Sequence, residues 1–176
     1  RLEKNFPSWF AELRPIYGPY ESRMERFIKI NKPKFIGQKA AKQELLDGPK
    51  ISRTSFIVDA GTSDVSGDEP IWAKTEKVYD FIDPPHKHGA KRFNSKGNEL
   101  SSSNSQQDGK WKVVGWVTSG GYAHSIKASM AQGYIPTDLS QVTQKGLFEI
   151  EILGKRYPCQ IMDNPPFDPL GKCMKS

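Results

Sequence analysis

One stretch of the sequence gathers, between two apolar runs, residue types that could take part in chemistry. Residues 113–136 begin as a strand, break at Ser119-Gly120-Gly121, and carry Tyr122, His124 and Ser125 before the second apolar run. Glycine permits a close backbone approach or a positive φ, so the Ser-Gly-Gly sequence predicts a turn that returns the strand toward a binding channel. Tyr122 and Ser125 are then candidates to contact a ligand or a neighbouring domain. A barrel corner without a ligand is the alternative.

The histidines and cysteines do not form a recognisable catalytic or metal-binding set. His124 has no nucleophile paired with it and suits a surface turn. His86 and His88 lie one residue apart in a polar stretch without a third ligand, so a solvated loop is the preferred interpretation over a metal site. Cys159 and Cys173 lack metal-ligand spacing and are too few for a disulfide framework, which favours a reducing compartment.

The charge pattern argues against two classes of partner. The chain of 176 residues has a formal net charge of +6, but the basic residues are dispersed and interleaved with acidic ones. The sequence contains no zinc-finger, RNP or similar signature, so we expect no nucleic-acid partner. No apolar run approaches the roughly 20 residues needed to cross a bilayer, so we expect no membrane partner.

The elements that must position these residues change character near residue 50. Residues 1–19 mix large aromatic side chains with prolines, which predicts a packed but irregular connector. Residues 20–31 have apolar positions at helical spacing, which predicts a short amphipathic helix or a helix-to-strand passage. Residues 37–46 predict a helix with its Ala and Leu residues on one stripe, ended by Asp47-Gly48-Pro49.

Strand patterns dominate the rest of the chain. In residues 148–152, apolar residues alternate with glutamates, which is typical of a half-buried antiparallel strand. Gly154-Lys155 predicts a tight hairpin with Gly at its first central position. A polar insertion at about 74–110 predicts a long loop. The fold class is therefore α+β, with helical segments first and then a small antiparallel β-barrel.

Four motifs carry a resemblance to a known family. They are "RLEKNFPSW" at 1–9, "FIKINKPKFIGQKAAKQ" at 27–43, "VVGWVTSGGYAHSIKASMAQGYIP" at 113–136 and "FEIEILGKRYPCQI" at 148–161. In this order they resemble the C-terminal part of the folate-binding aminomethyltransferase superfamily, the glycine cleavage T-protein-like proteins. The opening "RLEK" and the "GYIP" and "ILGK-YP" signatures are more similar to the tails of dimethylglycine and sarcosine dehydrogenases than to the free T-protein.

The resemblance implies a domain organisation, cofactors and partners. It implies that residues 1–50 are the C-terminal end of the folate-binding domain, and that residues 51–176 are the aminomethyltransferase C-terminal barrel with a long polar loop at about 74–110. Tetrahydrofolate is the implied cofactor, with FAD in an N-terminal part that precedes this sequence. The implied partners are an N-methylated amine substrate and upstream domains of the same chain. The implied location is the mitochondrial matrix, or the cytoplasm of a bacterium.

The resemblance also nominates site residues. Arg1 matches the arginine of the family's "RLE" motif at the folate site, and Glu21 and Phe27 match a glutamate and an aromatic before the "D-F-I-G" passage. Tyr122 and Ser125 complete the set of candidate cofactor-binding residues. A domain-stabilising ion pair is the alternative role for Arg1, and core packing is the alternative for Phe27. In "KFIG" a lysine replaces the acidic residue of the family motif.

The implied activity is the capture of a one-carbon unit on tetrahydrofolate, following FAD-dependent oxidation of the amine. No catalytic residue is assigned within this chain, and the chain alone is expected to be inactive and marginally stable. Three alternatives stay open. They are a non-catalytic regulatory or scaffold relative with the same fold, a stand-alone folate-dependent aminomethyl- or methyltransferase, and a nucleic-acid-binding barrel.

Overall fold

The computed structural model describes residues 1–79, 107–108 and 110–174. The strands in these ranges are β1 (Ile51–Val58), β2 (Pro70–Lys74), β3 (Gln107–Asp108), β4 (Trp111–Ala123), β5 (Ala128–Pro136), β6 (Phe148–Ile152) and β7 (Lys155–Met162). One α-helix, α1, spans Gln38–Asp47, and 3-10 helices span Leu2–Lys4, Glu25–Phe27 and Lys172–Met174.

Six strands form a closed antiparallel barrel. Their order is β2-β6-β7-β1-β5-β4, and β4 pairs back to β2. The two-residue β3 adds to the start of β4. Strand β1 pairs with β5 along its whole length, from Ile51 opposite Pro136 to Val58 opposite Ser129. Closure leaves no long unpaired strand edge among these six strands. The predicted fold class, α+β with a small antiparallel barrel, is confirmed.

Apolar side chains fill the interior of the barrel. In β6, Phe148, Ile150 and Ile152 are buried, and the two glutamates between them are partly exposed, as the alternation predicts. Phe56 of β1 meets Phe148 edge-on, with ring centroids 5.9 Å apart. Each fully buried side chain of this size contributes about 1.5–3 kcal/mol relative to an exposed one. The core therefore lies inside the barrel and leaves the outer faces free for other contacts.

The Ser119-Gly120-Gly121 sequence is not a turn, contrary to the prediction. These residues lie inside β4, opposite residues 130–132 of β5, and the chain reverses only at residues 124–127. Ser and Gly favour turns, but whether a segment forms a strand depends strongly on the strands beside it. Here the pairing with β5 outweighs the local turn preference. A small residue is nevertheless needed, because a Cβ at Gly120 would lie 2.5 Å from the carbonyl oxygen of Val65.

The hairpin between β6 and β7 is confirmed, with its turn shifted by one residue. Ile152 pairs with Lys155, so Leu153 and Gly154 are the two central residues. Their φ values of 49° and 81° match a type I′ turn, whose twist suits the flanking strands. Glycine therefore occupies the second central position, and the prediction that it occupies the first is wrong.

The region 20–31 does not form the predicted amphipathic helix. Its only helical turn is the 3-10 helix at Glu25–Phe27. Arg23 has a φ of 54°, in the left-handed region, which interrupts any helix through it. Its guanidinium donates from Nε to Ser52 Oγ at 2.9 Å, so a contact with the barrel outweighs the local helical pattern.

Helix α1 forms where predicted, but its apolar stripe is not buried. Gly48, with a φ of 76°, ends the helix. Ala41 is the buried residue of the helix, whereas Leu45 and Leu46 are 51% and 81% exposed. A helical stripe is buried only if another element packs against it. In the described part of the chain, these two leucines remain open to solvent.

Several predictions concern residues outside the described ranges. Most of the predicted loop at about 74–110, with His86 and His88, falls there. Cys159 is a free buried thiol, and burial raises its pKa. Among the described residues, no His, Cys, Asp and Glu side chains group to hold a metal ion. Within these same residues, every helix lacks the length and apolarity that crossing a bilayer requires.

Candidate functional site

The N-terminal segment, residues 1–24, is fastened to the outer face of β4 and β5 by aromatic stacking. The Tyr17 ring stacks on the Tyr134 ring with centroids 3.8 Å apart. Trp116 Nε1 donates to the Tyr17 hydroxyl at 3.0 Å, and the Tyr134 hydroxyl donates to the Glu12 carbonyl at 2.7 Å. Burial raises the pKa of both tyrosines, so both hydroxyls stay protonated and able to donate at neutral pH.

A buried carboxylate forms the polar centre of this attachment. Glu12 is fully buried, and its Oε2 accepts from the Ser8 backbone N–H at 2.6 Å and from Arg1 Nη1 at 3.3 Å. Its Oε1 accepts from Thr118 Oγ1 at 2.6 Å and from Ser119 Oγ. Four donors therefore satisfy this carboxylate, which offsets the cost of burying its charge. Two of the four donors come from β4, so Glu12 ties the segment to the barrel.

A second polar cluster lies under the same segment. Arg53 of β1 is buried and donates from Nε to the Ser22 carbonyl at 3.0 Å and from Nη1 to Asn5 Oδ1 at 3.0 Å. The Asn5 side-chain oxygen also accepts from Ser55 Oγ at 2.6 Å and from Gln132 Nε2 at 3.1 Å. Burial lowers the pKa of Arg53, yet a guanidinium stays charged at any physiological pH. Both ends of the segment are thus held by buried polar contacts.

The outer side of the fastened segment carries an apolar groove of about 340 Å³. Its lining residues are Trp9, Leu13, Arg14, Pro15, Tyr17, Pro19, Ser22 and Met24. The groove is open to solvent along much of its surface, and its volume lies in the range of small-molecule sites, which combine an apolar, aromatic lining with a few polar groups. Trp9, one of the lining residues, is 71% exposed, and Arg14 adds an exposed cation. This arrangement suits a flat aromatic ligand that also carries an anionic group.

Arg1, the first of the residues nominated from sequence, lies in the Glu12 cluster. Besides its ion pair with Glu12, its Nη2 donates to Ser119 Oγ at 3.0 Å. Its side chain keeps 35% exposure, so one side of the guanidinium still faces solvent. The ion pair weighed as the alternative role is present, and the contact with folate stays a prediction.

Tyr122 and Ser125 lie near the far end of β4. Tyr122 is 48% exposed and meets the His124 ring edge-on, with centroids 5.1 Å apart. The backbone N–H of Ser125 donates to Glu3 Oε1 at 2.7 Å, and its hydroxyl lies 3.2 Å from Oε2. Ser125 thus contacts Glu3 of the N-terminal segment. Contact of either residue with a ligand stays a prediction.

The remaining two nominated residues, Glu21 and Phe27, have other contacts. Glu21 Oε2 accepts from the Gly18 backbone N–H at 3.0 Å, and burial raises the pKa of its carboxyl group. Phe27 is 63% exposed, with the Arg26 guanidinium 4.6 Å from its ring centroid, so core packing is wrong for it.

Within the described residues, none of the five nominated residues lines the groove. The sequence reasoning missed Trp9, Glu12 and Leu13, for which the aromatic and proline density of residues 6–19 was the available signal.

Comparison with known proteins identifies the family. The model of the glycine cleavage T-protein C-terminal barrel domain matches residues 81–168, which is half of the chain. The chain belongs to the glycine cleavage T-protein C-terminal barrel family. The barrel strands β4 to β7 fall inside the matched range, so the family assignment and the observed barrel agree.

Members of two enzyme groups share this T-protein-type barrel region. The mouse mitochondrial dimethylglycine dehydrogenase is 34% identical over 166 residues, covering 94% of this chain and 15% of the mouse protein. Human mitochondrial sarcosine dehydrogenase is 24% identical over 181 residues, covering 99% of this chain and 16% of the human protein. The chain thus spans about 15% of the length of the mouse relative.

A solved structure shows the same T-protein fold. The aminomethyltransferase T of the glycine cleavage system from Bartonella henselae has a TM-score of 0.63 and 20% sequence identity, over 96% of this chain and 37% of that protein. At this identity the likeness establishes the fold alone. The similarity recognised in the four sequence motifs is confirmed by the family match and by the two dehydrogenases.

Proposed function

We propose that this chain supplies one wall of a tetrahydrofolate site in a dimethylglycine- or sarcosine-dehydrogenase-like enzyme. The observation that carries the proposal is the apolar groove of about 340 Å³ on the N-terminal segment, with Trp9 and Arg14 among its lining residues. The family membership and the similarity to named dehydrogenases support it, because fold alone does not fix function. An exposed indole and a cation beside an apolar groove are features that a purely structural barrel does not require.

The lining residues fit the parts of a reduced folate. The pterin and aminobenzoyl rings are flat and require an apolar, aromatic surface, which Trp9, Leu13 and Met24 offer. The glutamyl tail carries carboxylates, for which the Arg14 guanidinium is a suitable partner. The bound tetrahydrofolate would supply the nucleophilic nitrogen that accepts the one-carbon unit. The residues of this chain would orient the ligand and exclude water from it, which protects a reactive one-carbon donor.

The remaining parts of the activity belong to the same proposal. We assign oxidation of the N-methylated amine to FAD bound by upstream domains of the same chain, and the similarity to the two named dehydrogenases supports this assignment. The two relatives are named as mitochondrial dehydrogenases, which supports the mitochondrial matrix as the location. The bacterial cytoplasm is the other location considered. By itself the chain is expected to be inactive, because the proposed reaction needs those domains.

Calorimetric titration of the full-length protein with tetrahydrofolate tests the proposal. We expect saturable binding that Arg14→Ala and Trp9→Ala each weaken by about tenfold, the effect of roughly 1.4 kcal/mol. Lys145→Ala, which removes an equal charge from an exposed loop position, is the matched control and should bind like the unchanged protein. Arg1→Ala tests the residue nominated by the resemblance. Absence of binding in the unchanged protein would refute the proposal.

A non-catalytic scaffold relative is the second candidate function. It is favoured by the internal partners of two nominated residues, since Arg1 pairs with buried Glu12 and Glu21 accepts from the Gly18 N–H. A scaffold should keep these contacts without any ligand. Unfolding midpoints that fall in Arg1→Ala, together with no measurable folate binding, would favour this candidate over the folate site.

A further inference from the structure

Phe10 combines three properties that are unusual in one residue. Its φ is 65°, in the left-handed region that bulky side chains rarely adopt. Its side chain is 76% exposed, so burial does not compensate for that conformation. It also lies next to Trp9, the most exposed aromatic residue of the groove. Strained residues persist only where the surrounding structure holds them, and they concentrate at functional sites.

The surrounding loop holds Phe10 in this conformation. Its backbone N–H donates to the Leu13 carbonyl at 3.2 Å, and Trp9 and Leu13 form an isolated β-bridge. The N–H groups of Glu12 and Leu13 both donate to the Ser8 carbonyl, at 3.2 Å and 3.1 Å. The buried Glu12 carboxylate then fixes the loop to the barrel. Residues 8–13 therefore form a closed loop with Phe10 at its tip.

The ring of Phe10 contacts the groove through Trp9. The two rings meet edge-to-face, with centroids 5.6 Å apart and planes inclined by 76°. This geometry is the favourable one for an aromatic pair, because the positive edge of one ring meets the negative face of the other. Phe10 itself is outside the set of lining residues. An exposed indole has several rotamers, and the contact with Phe10 restricts them.

We propose that Phe10 is a positioning residue that holds the Trp9 indole in the orientation that forms the groove wall for the pterin ring. The left-handed backbone at Phe10 accompanies the contact of its ring with Trp9. This inference rests on the proposed folate function and adds to it the residue that sets the aromatic wall.

The test replaces Phe10 by glycine in the full-length protein and measures tetrahydrofolate binding together with the unfolding midpoint. Glycine adopts positive φ readily, so Phe10→Gly should leave the midpoint unchanged or raise it. It should nevertheless weaken binding by about threefold to tenfold, as expected for the loss of one aromatic pair. A residue with a purely structural role would not weaken binding while leaving the midpoint unchanged or raised.

Three further variants isolate the role of Phe10. Phe10→Tyr keeps the ring and should bind within about twofold of the unchanged protein. Leu153→Gly is the matched control, because Leu153 is fully exposed at 100% with a φ of 49° in the β6–β7 hairpin, outside the groove lining. It should leave binding unchanged. In a Trp9→Ala background, Phe10→Gly should have no additional effect on binding.

The outcomes separate this inference from the proposed function. Binding by the unchanged protein with Phe10→Gly equally tight overturns the inference and leaves the folate site in place. Equal weakening in the presence and absence of the Trp9 indole also overturns it, because Phe10 would then act independently of Trp9. No binding by the unchanged protein overturns both.

Discussion

The carboxylate of Glu12 accepts from four donors on two parts of the chain, so its loss affects both. Glu12→Ala leaves Arg1, Thr118 and Ser119 without their shared acceptor. Breaking a buried ion pair costs about 3–5 kcal/mol, and we expect about 2–4 kcal/mol here because Arg1 retains access to water. Urea denaturation measures the change. Glu3→Ala, which removes an equal charge bonded to exposed Ser125, should cost under about 1 kcal/mol. Equal losses in both variants would show that burial of Glu12 is not decisive.

The stabilising contribution of Tyr134 should be lost at alkaline pH. Burial raises the pKa of its hydroxyl above the ordinary value for tyrosine of about 10. A raised folded-state pKa means that its contribution is complete below about pH 10 and is lost as the pH rises toward the folded-state pKa. We expect the free energy of unfolding to fall above about pH 10, and to fall less steeply in Tyr134→Phe.

Equilibrium denaturation at pH 8 and at higher pH measures this dependence. At pH 8, Tyr134→Phe should lose about 1 kcal/mol, because the Glu12 carbonyl loses its hydroxyl donor. Parallel pH curves for the two proteins would assign the alkaline loss to other groups. Tyr17, whose pKa burial also raises, is the first of these to test.

At the scale of the secondary-structure elements, β4 requires a residue without a side chain at Gly120. Its missing side chain lets the Val65 carbonyl approach the strand, and a Cβ would come within 2.5 Å of that oxygen. We expect Gly120→Ala to destabilise the protein by about 1–3 kcal/mol, because backbone must move to relieve the overlap. Thermal unfolding measures it, and an unchanged midpoint would show that the chain around Val65 yields without cost.

The elements also show which sequence patterns were informative. The alternation in β6 predicted its buried face because a period of two depends only on which side faces the core. The same reasoning failed at residues 20–31, where Arg23 adopts a left-handed φ to reach Ser52 on the barrel. The residue types of Ser119-Gly120-Gly121 favour a turn, whereas their pairing with β5 depends on partners that the local sequence does not reveal.

The candidate site was less predictable than the fold. The groove is built by Trp9, Leu13 and other residues of the irregular N-terminal segment, whose path follows from contacts with β4 and β5. Residue types in that segment indicated packing but not which side chains remain exposed. Arg1 was nominated by resemblance and occupies the polar cluster beside the segment, so sequence identified the neighbourhood but not the lining of the groove.

At the scale of the whole molecule, the two leucines of α1 form an exposed apolar pair. Leu45 and Leu46 are 51% and 81% exposed. Adjacent exposed apolar groups favour association. We expect the isolated 176-residue chain to self-associate at high concentration, and Leu45→Gln with Leu46→Gln to reduce this while changing the free energy of unfolding by under about 0.5 kcal/mol.

Sedimentation velocity over a range of concentrations measures this association. Leu153→Gln, at a fully exposed position on the hairpin tip, is the matched control and should have a smaller effect. Equal effects of the two changes would mean that general surface apolarity, and not the helix, drives association.

The attachment of the N-terminal segment has a consequence for the order of biosynthesis. Arg1 bonds to Ser119, 118 positions later, and Tyr134 bonds to Glu12 across 122 positions. Contacts of such long sequence separation form late, because the intervening chain must first close a large loop. The N-terminal segment is synthesised before β4 and β5, but it can take its final position only after those two strands have formed. A nascent chain arrested before β5 should carry this segment unprotected from protease, and release of the complete barrel should protect it.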